Sequence, residues 1–109
     1  MAKTKPLRIG KVCIASKRPA FILGPCVIES EKFLWRMAKK IARACVSEDV
    51  DLIFKASYDK ANRTSVRSFR GMGVREGCDI LSDIGRELKI PVTTDVHSPA
   101  EAEIPQVKS

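Results

Sequence analysis

Between Lys55 and Gly73 the chain reads KASYDKANRTSVRSFRGMG, which sets Lys55, Lys60, Arg63, Arg67 and Arg70 against one acid, Asp59. Ser57, Asn62, Thr64, Ser65 and Ser68 are threaded between these cations. Such a stretch cannot be a core element, because burying charge without partners is too costly. Cations mixed with hydroxyls and an amide suit a small, anionic, hydroxyl-bearing molecule. Ammonium and guanidinium groups neutralise phosphate or carboxylate, while the neutral donors read its remaining oxygens. Two further polar pairs stand at a spacing of two, Lys55 with Ser57 and Asp95 with His97. In extended backbone that spacing puts each pair on one face. Cys26 follows directly on Gly24 and Pro25.

The rest of the composition narrows the classes of partner. A net charge of +7 over 109 residues favours acidic ligands. Nucleic acid ranks below a small anion, because aromatics are few and the cations form neither a helical stripe nor a stacking platform. Cys13, Cys26, Cys45 and Cys78 include no C-x-x-C pair, and the single histidine, His97, lies far from most of them. Local zinc-finger chemistry is therefore excluded. No apolar run approaches a membrane span or a signal-peptide core, so no membrane partner and a cytoplasmic location are expected.

The elements that must carry these residues follow from periodicity. Arg8–Ile14 and Ala20–Leu23 read as two strands around a Ser16–Pro19 turn, suggesting a hairpin, with Cys26–Ile28 continuing the second strand past Gly24-Pro25. Ser30 is the expected cap for a helix in which Leu34, Met37, Ala38, Ile41, Ala42 and Cys45 recur at three and four. Leu52–Ser57 is the next strand. Val74, Cys78, Leu81, Ile84 and Leu88 mark a second helix, and Gly73 permits a positive φ before it. Ile90–Val96 is the third parallel strand, and Pro99 begins a third helix.

Alternation of strand and helix predicts an α/β chain with a parallel sheet. A doubly wound sheet calls for a glycine-rich phosphate turn after its first strand, and no G-x-G-x-x-G is present. A (β/α)8 TIM barrel instead gathers its chemistry at the C-terminal ends of the strands, where Cys26, Lys55 with Ser57, and Asp95 with His97 all fall. Such a barrel takes roughly 250 residues. The expectation is therefore a partial barrel over 1–109, with an N-terminal hairpin and first strand region at 8–23 and the first βα units, about three, at 24–103. The tail at 104–109 abandons the helix begun at Pro99, and the chain reads as a truncated product or fragment.

KASYDKANRTS followed by SFRG, together with GPCVIES and TDVH, closely resembles 3-deoxy-D-manno-octulosonate 8-phosphate synthase, also called 2-dehydro-3-deoxyphosphooctonate aldolase. The likeness runs from about Ile22 to His97. It implies condensation of phosphoenolpyruvate with D-arabinose 5-phosphate and water, releasing phosphate, in lipopolysaccharide (Kdo) biosynthesis by a cytoplasmic homotetramer. By that resemblance Lys55, Ser57 and Lys60 hold phosphoenolpyruvate, and Asn62, Arg63 and Thr64 hold the sugar phosphate. Asp95 and His97 line the lumen near the reacting atoms. Members with Cys at the position of Cys26 use a divalent metal ion held by Cys, His, Glu and Asp, whereas members with Asn work without one. The sequence resembles the metal-dependent branch. Gly71-Met72-Gly73 departs from the family's usual Gly-Pro-Gly.

Two alternatives stand beside this reading. In 3-deoxy-D-arabino-heptulosonate 7-phosphate synthase a Lys-Pro-Arg-Thr-Ser stretch replaces Lys-Ala-Asn-Arg-Thr-Ser, and proline lacks the hydroxyl-reading amide of Asn62. The other is a non-catalytic remnant, and inactivity is expected of the 109-residue chain on its own.

Overall fold

The computed structural model describes residues 5–59 and 73–108. It begins with an antiparallel hairpin of β1 (Leu7–Ile9) and β2 (Val12–Ile14), in register Leu7 to Ile14 and Ile9 to Val12. The hairpin thus closes inside the run expected to be one strand. Gly10, at φ 57°, opens a two-residue turn with Lys11, a placement that matches the right-handed twist of paired strands. Ala20–Leu23 is not the hairpin's second arm.

That segment, β3 (Ala20–Leu23), pairs in parallel with β4 (Asp51–Lys55), and β4 pairs in parallel with β5 (Val92–Thr93). α1 (Glu31–Ser47) crosses between the first two strands and α2 (Val74–Leu88) precedes the third. β4 is central, and Leu52, Ile53 and Phe54 are all buried. A continuous apolar run is what a parallel strand covered on both faces requires. Ile28, Leu34, Ala38 and Cys45 from the first βα unit meet Leu52, Phe54 and Ala56, and Ile80, Leu81 and Ile84 of α2 close the cluster.

Local chemistry sets the helix ends. Ser30 caps α1, its Oγ accepting from the Phe33 N–H at 3.1 Å. At the other end Asp49 takes φ 56°, and the Val50 N–H reaches back to the Cys45 carbonyl at 3.0 Å, satisfying an otherwise orphaned acceptor. Arg18 then ties the start of β3 to the start of β4, bonding Asp49 at 2.6 Å and Asp51 at 2.7 Å. Gly73 caps α2 at φ 96°, as its position suggested. Beyond β5, Ser98 caps the one-turn α3 (Pro99–Ala102), and a second single turn, α4 (Pro105–Lys108), occupies the tail.

Two strand ends are shorter than expected. Cys26–Ile28 is not strand, because the chain leaves the ladder at Gly24-Pro25, although the Ile28 N–H still donates to the Ser57 carbonyl at 2.9 Å. β5 spans two residues rather than the whole of Ile90–Val96. Its hydrogen bonds to β4 run from the Phe54 and Ala56 N–H groups to the Pro91 and Thr93 carbonyls, and the chain then bends at His97 and Ser98. No helix among the described residues is long and apolar enough to cross a membrane.

Candidate functional site

The polar residues gather where β3, β4 and β5 end. Gly24 makes the close approach of the first two ends possible. A Cβ at Gly24 would lie 1.6 Å from the Lys55 carbonyl oxygen, so any side chain there pushes the segment carrying Cys26 away from β4. Lys55 is the last residue of β4 and is exposed, while Ala56, Ser57 and Tyr58 beyond it are buried. Lys55 and Ser57 therefore differ in burial, although their spacing put them on one face.

Ser57 is the link to the third strand. Its hydroxyl donates to Oδ1 of Asp95. Burial alone would push the Asp95 carboxyl up. The Ser57 hydroxyl, the Asp95 backbone amide and the charges of Lys55 and His97 outweigh it, so the group is held below the ordinary carboxylate value. A carboxylate that stays ionised beside an exposed lysine can accept from substrate hydroxyls while the ammonium faces an anion.

Asp95 and His97 both lie past β5, in the segment leading to α3, rather than on a strand face. His97 is exposed. It neither caps the following helix, which Ser98 does, nor bonds Asp95 directly. Its Nε2 lies 3.3 Å from the Asp59 carbonyl oxygen, and its ring stands edge-on to Tyr58 with centroids 5.8 Å apart. Tyr58 was missed by reasoning from sequence, as was Glu101, which accepts from its hydroxyl. The available signals were an aromatic residue following a strand's polar end and the Ser98-x-x-Glu101 spacing at a helix start.

Lys55, Ser57, Asp95 and His97 are thus brought to one end of the sheet. Lys60, Asn62, Arg63 and Thr64 lie outside the described residues. Cys26 is an exposed, free thiol at the end of the first strand segment. Among the described residues no group of three His, Cys, Asp or Glu side chains is placed to hold a metal ion. Cys26 offers one donor, and one thiolate does not make a tight site.

A hairpin followed by parallel βα units, with polar side chains converging at the C-terminal strand ends, defines the opening part of a (β/α)8-barrel protein. Residues 4–106 match the DAHP synthetase I family, and the chain belongs to that family of enzymes. It is 51% identical over 96 residues to the 2-dehydro-3-deoxyphosphooctonate aldolase of Geobacter sulfurreducens, covering 87% of this chain and 35% of the relative. The Koribacter versatilis aldolase of that name is 47% identical over 98 residues, 90% of this chain and 35% of the relative. The Paraburkholderia xenovorans aldolase is 46% identical over 104 residues, 94% of this chain and 36% of the relative. The chain spans about a third of the length of these relatives.

Proposed function

We propose that this chain forms the first strands and substrate-binding loops of a 3-deoxy-8-phosphooctulonate synthase. In that reaction carbon 3 of phosphoenolpyruvate bonds to the aldehyde carbon of D-arabinose 5-phosphate. Water supplies the new oxygen at carbon 2, and inorganic phosphate leaves. The observation that supports the reading is the cluster of Lys55, Ser57 and Asp95 at the C-terminal strand ends, in a chain 51% identical over 96 residues to a 2-dehydro-3-deoxyphosphooctonate aldolase. Lys55, with Lys60, neutralises the carboxylate and phosphate of phosphoenolpyruvate, and the Ser57 hydroxyl holds Asp95 ionised beside them. Asn62, Arg63 and Thr64 take the sugar phosphate, Arg63 as a two-pronged donor to its phosphate.

The whole reaction needs the remaining two-thirds of a barrel, so the 109-residue chain alone is expected to give no turnover. Cys26 is proposed as one thiolate ligand to a divalent ion whose other donors come from elsewhere in the barrel. That ion would supply Lewis-acid polarisation near the reacting carbonyl. The matching family is described by the seven-carbon product, which keeps a second reading open: a synthase taking erythrose 4-phosphate.

One chimera tests these readings. This chain replaces the corresponding third of the Geobacter sulfurreducens relative, and phosphate release is followed with each sugar phosphate. Release with arabinose 5-phosphate at least tenfold faster than with erythrose 4-phosphate is expected, and the reverse preference overturns the assignment. Chelator treatment that leaves the rate unchanged overturns the role given to Cys26.

A further inference from the structure

His97 is the one histidine of the chain and Tyr58 its one tyrosine. Their rings meet at 63°, edge toward face, with centroids 5.8 Å apart. The imidazole Nε2 lies 3.3 Å from the carbonyl oxygen of Asp59, the residue after Tyr58. A carbonyl only accepts, so Nε2 must carry the hydrogen in this contact. In the neutral ring that leaves Nδ1 bare, with its lone pair available.

The partner ring is itself immobilised. Tyr58 is 2% exposed, and its hydroxyl donates to Oε1 of Glu101. Burial and the Glu101 carboxylate push the phenol up, so the hydroxyl keeps its hydrogen through neutral pH. Glu101 is in turn fixed by Ser98, the residue after His97. The Ser98 Oγ accepts from the Glu101 N–H at 3.2 Å and donates to Oε2 at 3.4 Å. Tyr58 and Asp59, successive residues past β4, therefore hold the stretch past β5 at His97 and at Glu101. Because His97 is exposed, burial does not choose its orientation, and these contacts do.

We propose that Tyr58 and the Asp59 carbonyl are positioning groups that hold His97 as the Nε2–H tautomer, so that Nδ1 is the ring atom offered as acceptor to a hydroxyl of the bound sugar phosphate. The tautomer follows from geometry alone, and the identity of the donor rests on the function proposed above. A ring free to rotate would present either nitrogen. A clamped one presents a lone pair without reorganising when substrate arrives.

Long-range proton–nitrogen NMR on the 15N-labelled chain reads both parts of the clamp, since each ring type occurs once. Above the pH at which the ring is neutral, the expected pattern is a bare Nδ1 and a protonated Nε2, with cross-relaxation between the Tyr58 and His97 ring protons. Tyr58→Phe, which keeps the ring, is expected to retain that pattern. Tyr58→Leu is expected to shift it toward the averaged pattern of the urea-unfolded chain. A protonated Nδ1, or a native spectrum already matching the unfolded average, overturns the proposal, and it does so without a Leu variant that folds. In the chimera, adding arabinose 5-phosphate is expected to move the Nδ1 resonance, and no movement overturns the contact with substrate. A lost tautomer with retained turnover condemns this inference alone, whereas an intact tautomer with no turnover condemns the enzymatic assignment alone.

Discussion

Ser57 donates to Asp95 from a position almost closed to solvent, and that one bond couples the fourth strand's end to the fifth's. Replacing it with alanine leaves Asp95 with one fewer partner for its charge. Ser57→Ala is expected to lower stability by about 1–2 kcal/mol at pH 7. The sign of the pH dependence follows from the depressed carboxyl. Its contribution is full above the unfolded value of about 3.9 and is lost as pH falls through the lower folded value. Urea melts should therefore show the wild-type and variant curves separated at pH 7 and converging below about pH 4. A gap that persists in acid would mean that Ser57 acts through packing alone.

At the scale of elements, the decisive contact is backbone on backbone. The backbone at Gly24 lies against the carbonyl of Lys55, with no room for even one added carbon. Gly24→Ala should separate β3 from the end of β4 and cost at least about 3 kcal/mol, measured by denaturant unfolding. Because the same contact seats Lys55, a chimera carrying the variant should also bind phosphoenolpyruvate more weakly. Wild-type stability in Gly24→Ala would show that the two segments are free to part without loss. The helices need less from such fine contacts. Their apolar faces, Leu34, Ala38 and Cys45 on α1 and Cys78, Leu81 and Ile84 on α2, pack as their spacing foretold.

Taken as a whole molecule, the sheet carries an uneven load. β4 is covered on both faces, yet Phe21, Ile22 and Leu23 of β3 are all exposed. A cleft of about 500 Å³ lies between β3 and α1, lined by Phe21, Leu23, Ile41 and Val50 among others. An apolar strand with exposed side chains at a sheet edge invites association. The isolated chain is expected to self-associate with rising concentration in sedimentation experiments. Ile22→Lys should return most of it to monomer by placing a charge on that edge. A wild-type chain that stays monomeric at high concentration would contradict this.

Periodicity alone determined α1 and α2, since an amphipathic stripe is written by residues three and four apart and needs no distant partner, whereas the single turn of α4 in the tail was not legible in it. Alternation of strand and helix determined the parallel order of the three strands, and Lys55, Ser57, Asp95 and His97 do lie near their C-terminal ends. Tertiary structure decided what local pattern could not express. The hairpin closed at Gly10 because turn geometry overrode an apparently continuous strand. Asp95 and His97 left the strand alternation because their partners, Ser57 and the Asp59 carbonyl, sit 38 residues earlier in the chain. Tyr58 became part of the site only because folding set it against His97 and Glu101. Hydrogen bonds between segments so distant depend on how the sheet brings its strand ends together, and no stretch of sequence contains that information by itself.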